Sequence, residues 1–501
     1  MNDSLLSAFA AASPRIDPPP TPWRSILIHG AVLALWVVLF SRAFTQGPRM
    51  GREAGSGHEV WSWSVGVAYV LYDTVLLFFV AWQTWALLRP APMRAAARES
   101  EEPRATLGVI VAAHNEAAVL PVTIAALLAQ SDRPERIVIA DDGSTDGTAE
   151  LLASRYGLVP PPLGELSAPS ALHPGLCWLR LPHGGKAVAL NAAILRIDTQ
   201  TVLTVDGDTL LDAGAIAAVR RAFADEPALV AATGVITPVC SRSWGGRCFQ
   251  WFQTYEYIRN FLSRYAWMRV DGLLLVSGAF AAFRLDALRA VGGFDTDCLV
   301  EDYELIHRLY RHSQAHGLGW RVRVLGDAHA HTDAPSTLGA FLRQRRRWFG
   351  GFLQTQYWYR AMVGDRRYGW LGVAMLPVKA IDTLQPLYGL AAFFLLLIYL
   401  AEGNLGVLAP VAGVIGAKIV LDLAFHLWSV HLYRRWIGRQ REVNMPQAFL
   451  AAVVEPFTFQ ILRHTGAALG WWMFLTGRGT WGKQSRAGLL AQGGVSQRQE
   501  D

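Results

Sequence analysis

The chain has 501 residues, of which 52% are hydrophobic and only 17% are charged, with a formal net charge of +6. That length allows two or three domains, and the balance excludes an ordinary soluble protein. The apolar content gathers at the two ends, which implies a membrane protein with a soluble insert, and the basic surplus fits cytoplasmic loops rather than a nucleic-acid surface.

Residues 1–24 are polar and Pro-rich, and are expected to be disordered. Residues 25–44 form a first apolar span, interrupted by His29 and closed by Arg42. No small-residue cleavage site follows, so a membrane span is favoured over a signal peptide. Residues 64–88 form a second span, long enough for a bilayer core of roughly 30 Å. Asp73 within it is costly in lipid and should face protein or a polar cavity. Arg89, Arg94 and Arg98 follow, which puts the next segment in the cytoplasm.

Strand and helix patterns then alternate from about 104 to 335. Strands are predicted over 107–113, 136–140, 177–181, 201–205 and 229–233. Helices are predicted over 117–130, 145–155, 186–196 and 213–224, with a Pro-rich connection at 160–174. This alternation predicts a parallel or mostly parallel sheet covered on both faces. The four cysteines, Cys177, Cys240, Cys248 and Cys298, have no metal-binding spacing and read as reduced thiols.

Residues 337–362 read as an amphipathic helix suited to the membrane interface. Leu338, Phe341, Leu342, Trp348, Phe349, Phe352 and Leu353 gather on one side, with Arg343, Gln344, Arg346 and Arg347 mostly on the other. Residues 378–400 and 407–432 are two further spans, and Arg434, Arg435, Arg439 and Arg441 place the loop after them in the cytoplasm. Residues 449–475 are apolar but broken by Glu455-Pro456 and Arg463-His464. The tail carries Arg478, Lys483 and Arg486, so an interfacial or re-entrant pair of short helices fits better than a crossing. The expected arrangement is two transmembrane helices over 25–89, a cytoplasmic domain over 104–335, membrane and interfacial helices over 371–476 and a cytoplasmic tail over 477–501. It gives four crossings of the inner membrane.

The chemistry gathers at strand ends. The strand 201–205 runs into Asp206-Gly207-Asp208. Two carboxylates so close, at the mouth of a sheet, suit a hard divalent cation such as Mg²⁺ or Mn²⁺ that also holds phosphates. A turn with two solvated acids is the plainer alternative. HNE (114–116) and DDGSTDGT (141–148) also lie where a strand meets a turn. Helix capping by Ser144 or Asp146 explains one or two of these residues, not four acids at adjacent strand ends. Carboxylates there can accept from the hydroxyls and base edge of a nucleoside. His183-Gly184-Gly185-Lys186 opens a helix, where backbone N–H groups and one ammonium favour phosphate. His329 and His331 hint at a metal pair but lack a third ligand.

Taken together, HNE, DDGSTDGT, GGKAVALN (184–191) and DGD (206–208), in this order, resemble the family-2 glycosyltransferases. The resemblance continues through SGAFAAFR (277–284), VED (300–302) and QRRRW (344–348), the last like the QxxRW motif of the membrane-embedded, processive branch. That branch makes cellulose, chitin, hyaluronan and poly-N-acetylglucosamine. The resemblance implies an α/β GT-A-type domain inserted between N-terminal and C-terminal transmembrane helices. It also implies an inverting hexosyltransferase that uses a UDP-sugar, of GlcNAc or glucose, to extend a β-linked glycan. By the same resemblance, Ala113, Glu116, Asp141 and Asp142 would hold the nucleoside, and Lys186, Gln344 and Arg347 the diphosphate side. Asp206 and Asp208 would bind metal and nucleotide, and Asp302 would be the general base. Ser277, Gly278, Glu301 and Trp348 would face the acceptor. Implied partners are the UDP-sugar, the growing glycan, the lipid bilayer and a small membrane or export protein, with no nucleic acid. A non-processive transferase to a lipid-linked acceptor, or a non-catalytic exporter or sensor, are the alternatives. The sequence departs from the family pattern at Val300, where many relatives have Thr. It also has no apparent gating-loop pattern, and a cyclic-dinucleotide domain after the last apolar stretch is not expected.

Overall fold

Runs of β-branched and apolar residues without polar alternation make strands that are covered on both faces. The computed structural model describes residues 3–50, 59–89, 105–403, 408–438 and 444–477, and in it these runs build the centre of the protein. The basic residues Arg94, Arg98, Arg439, Arg441, Arg478, Lys483 and Arg486 lie outside the described residues. In chain order the elements are α1 (Asp3–Ala12), α2 (Trp23–Met50), α3 (Glu59–Thr84), β1 (Leu107–Ala113), α4 (Leu120–Leu128), β2 (Arg136–Asp142), α5 (Thr148–Tyr156) and β3 (Leu176–Leu181). Then come α6 (Lys186–Ile194), β4 (Thr201–Asp206), β5 (Thr209–Leu211), α7 (Ala215–Asp225), β6 (Leu229–Val239), α8 (Trp244–Met268), β7 (Phe280–Arg284) and α9 (Leu285–Ala290). The remainder is α10 (Glu301–His316), β8 (Arg321–Asp333), α11 (Leu338–Trp358), α12 (Leu376–Asp382), α13 (Gln385–Ala401), α14 (Leu408–Trp436), α15 (Met445–Val454) and α16 (Phe459–Thr476).

The eight strands form one sheet in the order β3-β2-β1-β4-β7-β6-β8-β5. β3, β2, β1 and β4 are parallel, with Ile110 opposite Val138 on one side and Thr204 on the other. β6 and β8 are also parallel, while β7 is antiparallel to β4 and β6, and β5 to β8, so the sheet is mostly parallel with antiparallel members on one side. The chain steps from β1 out to β2 and β3, then returns past β1 to β4. Strand order reverses there, and a crevice opens at the carboxyl ends of β1 and β4, where open α/β sheets bind ligands.

Two differences from the sequence reading matter. The start of the chain is not disordered: Leu5, Phe9 and Ala12 of α1 are buried against the α/β domain. A Cβ at Gly292, whose φ is +82°, would run into the Phe9 backbone, so only glycine permits this close approach. The stretch expected to span the membrane at 378–400 is divided, because Pro386 in the first turn of α13 cannot continue the hydrogen-bond ladder of α12.

Among the described residues, two helices are long and apolar enough to cross a membrane, Trp23–Arg42 and Leu71–Leu88. The helical stretches Met445–Phe457 and Phe459–Thr476 bend by 49° at their junction. α16 packs along α11, with Gly466 against Arg345 and Gly470 against Phe349. Asp73 of α3 does face protein, pairing with Lys418 of α14.

Candidate active site

The carboxyl ends of β1, β2 and β4 and the first turns of α6 and α10 converge on one cavity of 1670 Å³. A nucleotide-sized ligand needs roughly 300–1,000 Å³, so there is room for a second ligand beside it. Ala113, Glu116, Asp142, Lys186, Asp206, Asp208, Ser277, Gly278, Glu301, Asp302, Gln344, Arg347 and Trp348 all line it. Every residue to which the resemblance gives a role is therefore brought together except Asp141. Successive strand residues point to opposite faces. The Asp141 carboxylate accordingly accepts from Ser144 N at 3.0 Å and Trp178 Nε1 at 3.3 Å, inside the domain.

Asp142 knits two loops together. Its Oδ1 accepts from Gly184 N at 2.7 Å, and its Oδ2 from Gly185 N and His183 Nδ1, both at 2.9 Å. The His183 ring stacks on His114 with centroids 4.3 Å apart, and His114 Nδ1 lies 2.7 Å from Asp142 O. His114, Asp142 and His183 form the one group of three metal-capable side chains among the described residues. Both histidines lie in motifs quoted from the sequence, but their pairing was not legible there, because it exists only once β1 and the glycine turn meet. Glu116 lies over Gly207, where any Cβ would overlap its Oε2. That contact explains the glycine between the two aspartates.

Lys186 occupies the centre. Its Nζ sits 2.5 Å from Asp206 Oδ1, 3.6 Å from Glu301 Oε1 and 3.5 Å from Gly278 O. Burial works to lower its pKa, but the carboxylates of Asp206 and Glu301 outweigh burial and raise it, so the ammonium stays charged. Burial also raises the Glu301 pKa, with Lys186 opposing it. Asp302 is held through the same loop: its Oδ2 accepts from Gly278 N at 2.7 Å and its Oδ1 from Tyr303 N at 2.8 Å. The α10 cap position is Val300, with no side-chain cap bond, and Glu301 and Asp302 stand in the first turn. Helix capping therefore does not account for them.

From α11, Arg347 donates to Leu299 O at 3.0 Å, and Trp348 carries the Arg345 guanidinium 4.6 Å above its ring. Arg345 in turn pairs with Glu256 of α8 through two bonds, at 2.9 and 2.7 Å. His329 and His331 lie near Asp212, at 4.0 and 3.5 Å, not in this cavity. Asp206 and Asp208 offer hard oxygen donors a residue apart, a set that suits a divalent cation shared with phosphate oxygens.

A sheet reversed at β1/β4, with acids at that reversal and a lysine at the adjoining glycine turn, defines a GT-A-type glycosyltransferase fold. It is similar to a solved mannosyltransferase from Pyrobaculum calidifontis in complex with GDP-Man and Mn²⁺, with a TM-score of 0.51 at 20% identity, over 79% of this chain and 99% of that one. In this chain, residues 108–292 match the model described as Glycosyl transferase family 2, and residues 201–408 the one described as Glycosyl transferase family group 2. Its curated relatives include the poly-beta-1,6-N-acetyl-D-glucosamine synthase of Staphylococcus aureus (strain COL), 29% identical over 244 residues, which are 48% of this chain and 53% of that protein. The enzyme of the same name from Staphylococcus epidermidis is 27% identical over 247 residues, 49% of this chain and 54% of that one. The chain thus spans about half the length of the curated relatives it matches.

Proposed function

We propose that the chain is an inverting, metal-dependent hexosyltransferase that moves a sugar from a UDP-sugar onto a growing β-linked polysaccharide at the membrane. The names of the staphylococcal relatives favour N-acetylglucosamine over glucose. The observation that carries the reading is the single cavity in which the acidic strand ends, Lys186, Asp302 and Trp348 meet.

In this reading Ala113, Glu116 and Asp142 receive the nucleoside, while Asp141 braces the turn beneath them. Asp206 and Asp208 would hold Mg²⁺ or Mn²⁺, which would supply positive charge to offset that of the diphosphate. Lys186, with Gln344 and Arg347, binds the same diphosphate. Ser277, Gly278, Glu301 and Trp348 line the acceptor side, where an aromatic face suits the C–H side of a sugar ring. Asp302 takes the proton of the acceptor hydroxyl as that oxygen attacks the anomeric carbon. The bond from that carbon to the diphosphate breaks on the opposite face, and Lys186 and Arg347 stabilise the departing charge. Gly278 links the two halves, since its N–H holds Asp302 and its carbonyl lies within reach of Lys186.

The catalytic domain would lie in the cytoplasm with its membrane helices in the inner membrane. Tyr72, Asp73, Lys379 and Asp382 continue the cavity lining among those helices, which supports a path for the glycan and a site for an export partner. The test is a panel of UDP-sugars with the purified protein and Mg²⁺ or Mn²⁺, reading UDP release and product mass. A ladder of β-linked products from one donor is expected. A single addition per acceptor would favour a lipid-linked acceptor, and no UDP release from any donor would overturn the reading.

A further inference from the structure

One wall of the cavity is made by α8, on which none of the quoted motifs lies. Tyr257, Asn260 and Arg264 recur three and four residues apart, so they form one stripe on the helix, and all three line the cavity. None of them makes a side-chain hydrogen bond to another described residue. Arg264 is the telling member. Its Nε and Nη1 are enclosed and have no hydrogen-bond partner among the described residues. The guanidinium lies 4.5 Å above the Phe261 ring. The other cavity cations are engaged: Lys186 with Asp206, Arg345 and Arg463 with Glu256, Lys379 with Asp382, and Arg347 with Leu299 O. Burial pushes the Arg264 pKa down to about 10, with Asp302 among the groups opposing it, so the group remains a cation. Enclosing a cation with its donors unsatisfied is costly, and such a group calls for a ligand that supplies acceptors.

We propose that the α8 stripe of Tyr257, Asn260 and Arg264 is an acceptor-binding subsite for a neutral, hydroxyl-rich glycan, with Arg264 donating to sugar oxygens of the chain whose end faces Asp302. This rests on the glycosyltransferase reading above. Neutral chemistry follows from the surroundings. Carboxylates outnumber cations around the cavity, and the Asp302 charge already acts on Arg264, so an anionic acceptor would be repelled. A neutral sugar satisfies the guanidinium fork through its hydroxyl and carbonyl oxygens without adding negative charge. Trp348 lines the same cavity and adds an apolar ring to the polar stripe.

The experiment compares full-length wild-type protein with Arg264→Gln, Arg264→Lys and Asn260→Ala in detergent, using UDP-GlcNAc and a short β-linked GlcNAc oligosaccharide as primer. For Arg264→Gln the primer KM should rise by roughly 10- to 100-fold, the usual cost of a lost charged hydrogen bond. UDP affinity should stay at the wild-type level, and products should be shorter. Arg264→Lys should recover part of the loss, and Asn260→Ala, which leaves the cation in place, should show a smaller rise. Wild-type primer KM and product length in Arg264→Gln and Asn260→Ala would overturn the subsite. So would a fall in UDP affinity that parallels the loss, since Arg264 would then serve the donor. If wild-type protein releases no UDP from any sugar, it is the glycosyltransferase reading that fails, which keeps the two failures apart.

Discussion

Asp302 is held at both oxygens by backbone N–H groups, and this makes its chemistry separable from its placement. Asp302→Asn keeps the size and one acceptor oxygen, so folding and UDP affinity should survive. Turnover should fall by roughly 10²–10⁴, the range for losing a general base. Near-normal turnover would remove the carboxylate from the reaction. Asp208→Asn tests the other end of the cavity. A neutral amide cannot offset the charge of a dication as a carboxylate does. Cation affinity should fall by at least about 10- to 100-fold, which is already the cost of disturbing an outer-shell partner, and UDP-sugar affinity should fall with it. Calorimetric titration with Mn²⁺ reads the first and UDP binding the second. These acids were legible in the sequence because their chemistry demands one residue type at a strand end. Arg264 and the His114–His183 stack were not. A polar residue on a helix, or a histidine in a turn, acquires its meaning only from what the fold sets opposite it.

At the scale of elements, α1 braces the helix that carries Asp302. Arg15 makes a two-point pair with Asp295, at 2.9 and 3.0 Å, and Arg311 of α10 donates to Ala12 O. The Phe9 ring lies 4.5 Å from the guanidinium of Arg308, which is fully buried and paired with Glu304. Phe9→Ala should cost about 3 kcal/mol or more as a large-to-small core change, seen as a lower thermal-inactivation midpoint. It should lower kcat while leaving UDP affinity, which depends on β1, β2 and β4, near wild type. An unchanged midpoint and kcat would show that α1 braces nothing. The bare sequence hid this helix because ten residues are marginal alone and the docking surface supplies the stability. β1, by contrast, has the predicted bounds, since a continuous apolar run ending in a polar turn leaves little choice. β6 runs on from Thr233 to Val239 because β8 pairs with the extension, a long-range event that local pattern cannot signal. α10 also carries a buried titrating group. Burial pushes His307 down from 6.5 to about 4. Its folded pKa is depressed, so its contribution is complete above pH 6.5 and is lost as the pH falls toward 4. The unfolded chain takes up a proton over that window while the folded one does not. The loss should reach up to about 3 kcal/mol, and His307→Gln should flatten the pH dependence of the inactivation midpoint there. An equally steep dependence in that variant would assign the effect to another group.

At the scale of the whole molecule, the same contacts bear on membrane sidedness. α1 is docked on the α/β domain, and α2 starts beside it, with Arg24 on Asp365 at 2.6 Å and Ser25 Oγ donating to Arg360 O at 2.7 Å. The far end of α3 is back at the same domain, where Phe79 packs on Trp267 with centroids 4.6 Å apart. Two crossings by a hairpin anchored to one domain at both ends would enter and leave from one side, the arrangement expected before the sheet. The later helices are harder to read from hydropathy alone. A window average passes over the break between α12 and α13, and it cannot tell a crossing from a bent pair such as α15 and α16. Charge decides better, because each added ionised group at the bilayer centre costs about 2.5–3.5 kcal/mol on insertion scales. Around the bend between α15 and α16, Arg463 meets Glu455 at 3.5 Å, so the polar groups there are held by each other rather than by lipid. Ser4→Cys and Thr476→Cys, each in a Cys248→Ser background, should therefore both resist a membrane-impermeant maleimide in intact cells and react after permeabilisation. Labelling of Thr476→Cys from outside would make α15 and α16 a crossing and the number of crossings odd. Labelling of Ser4→Cys from outside would contradict the docking of α1 on the catalytic side, and the two-crossing hairpin would fall with it.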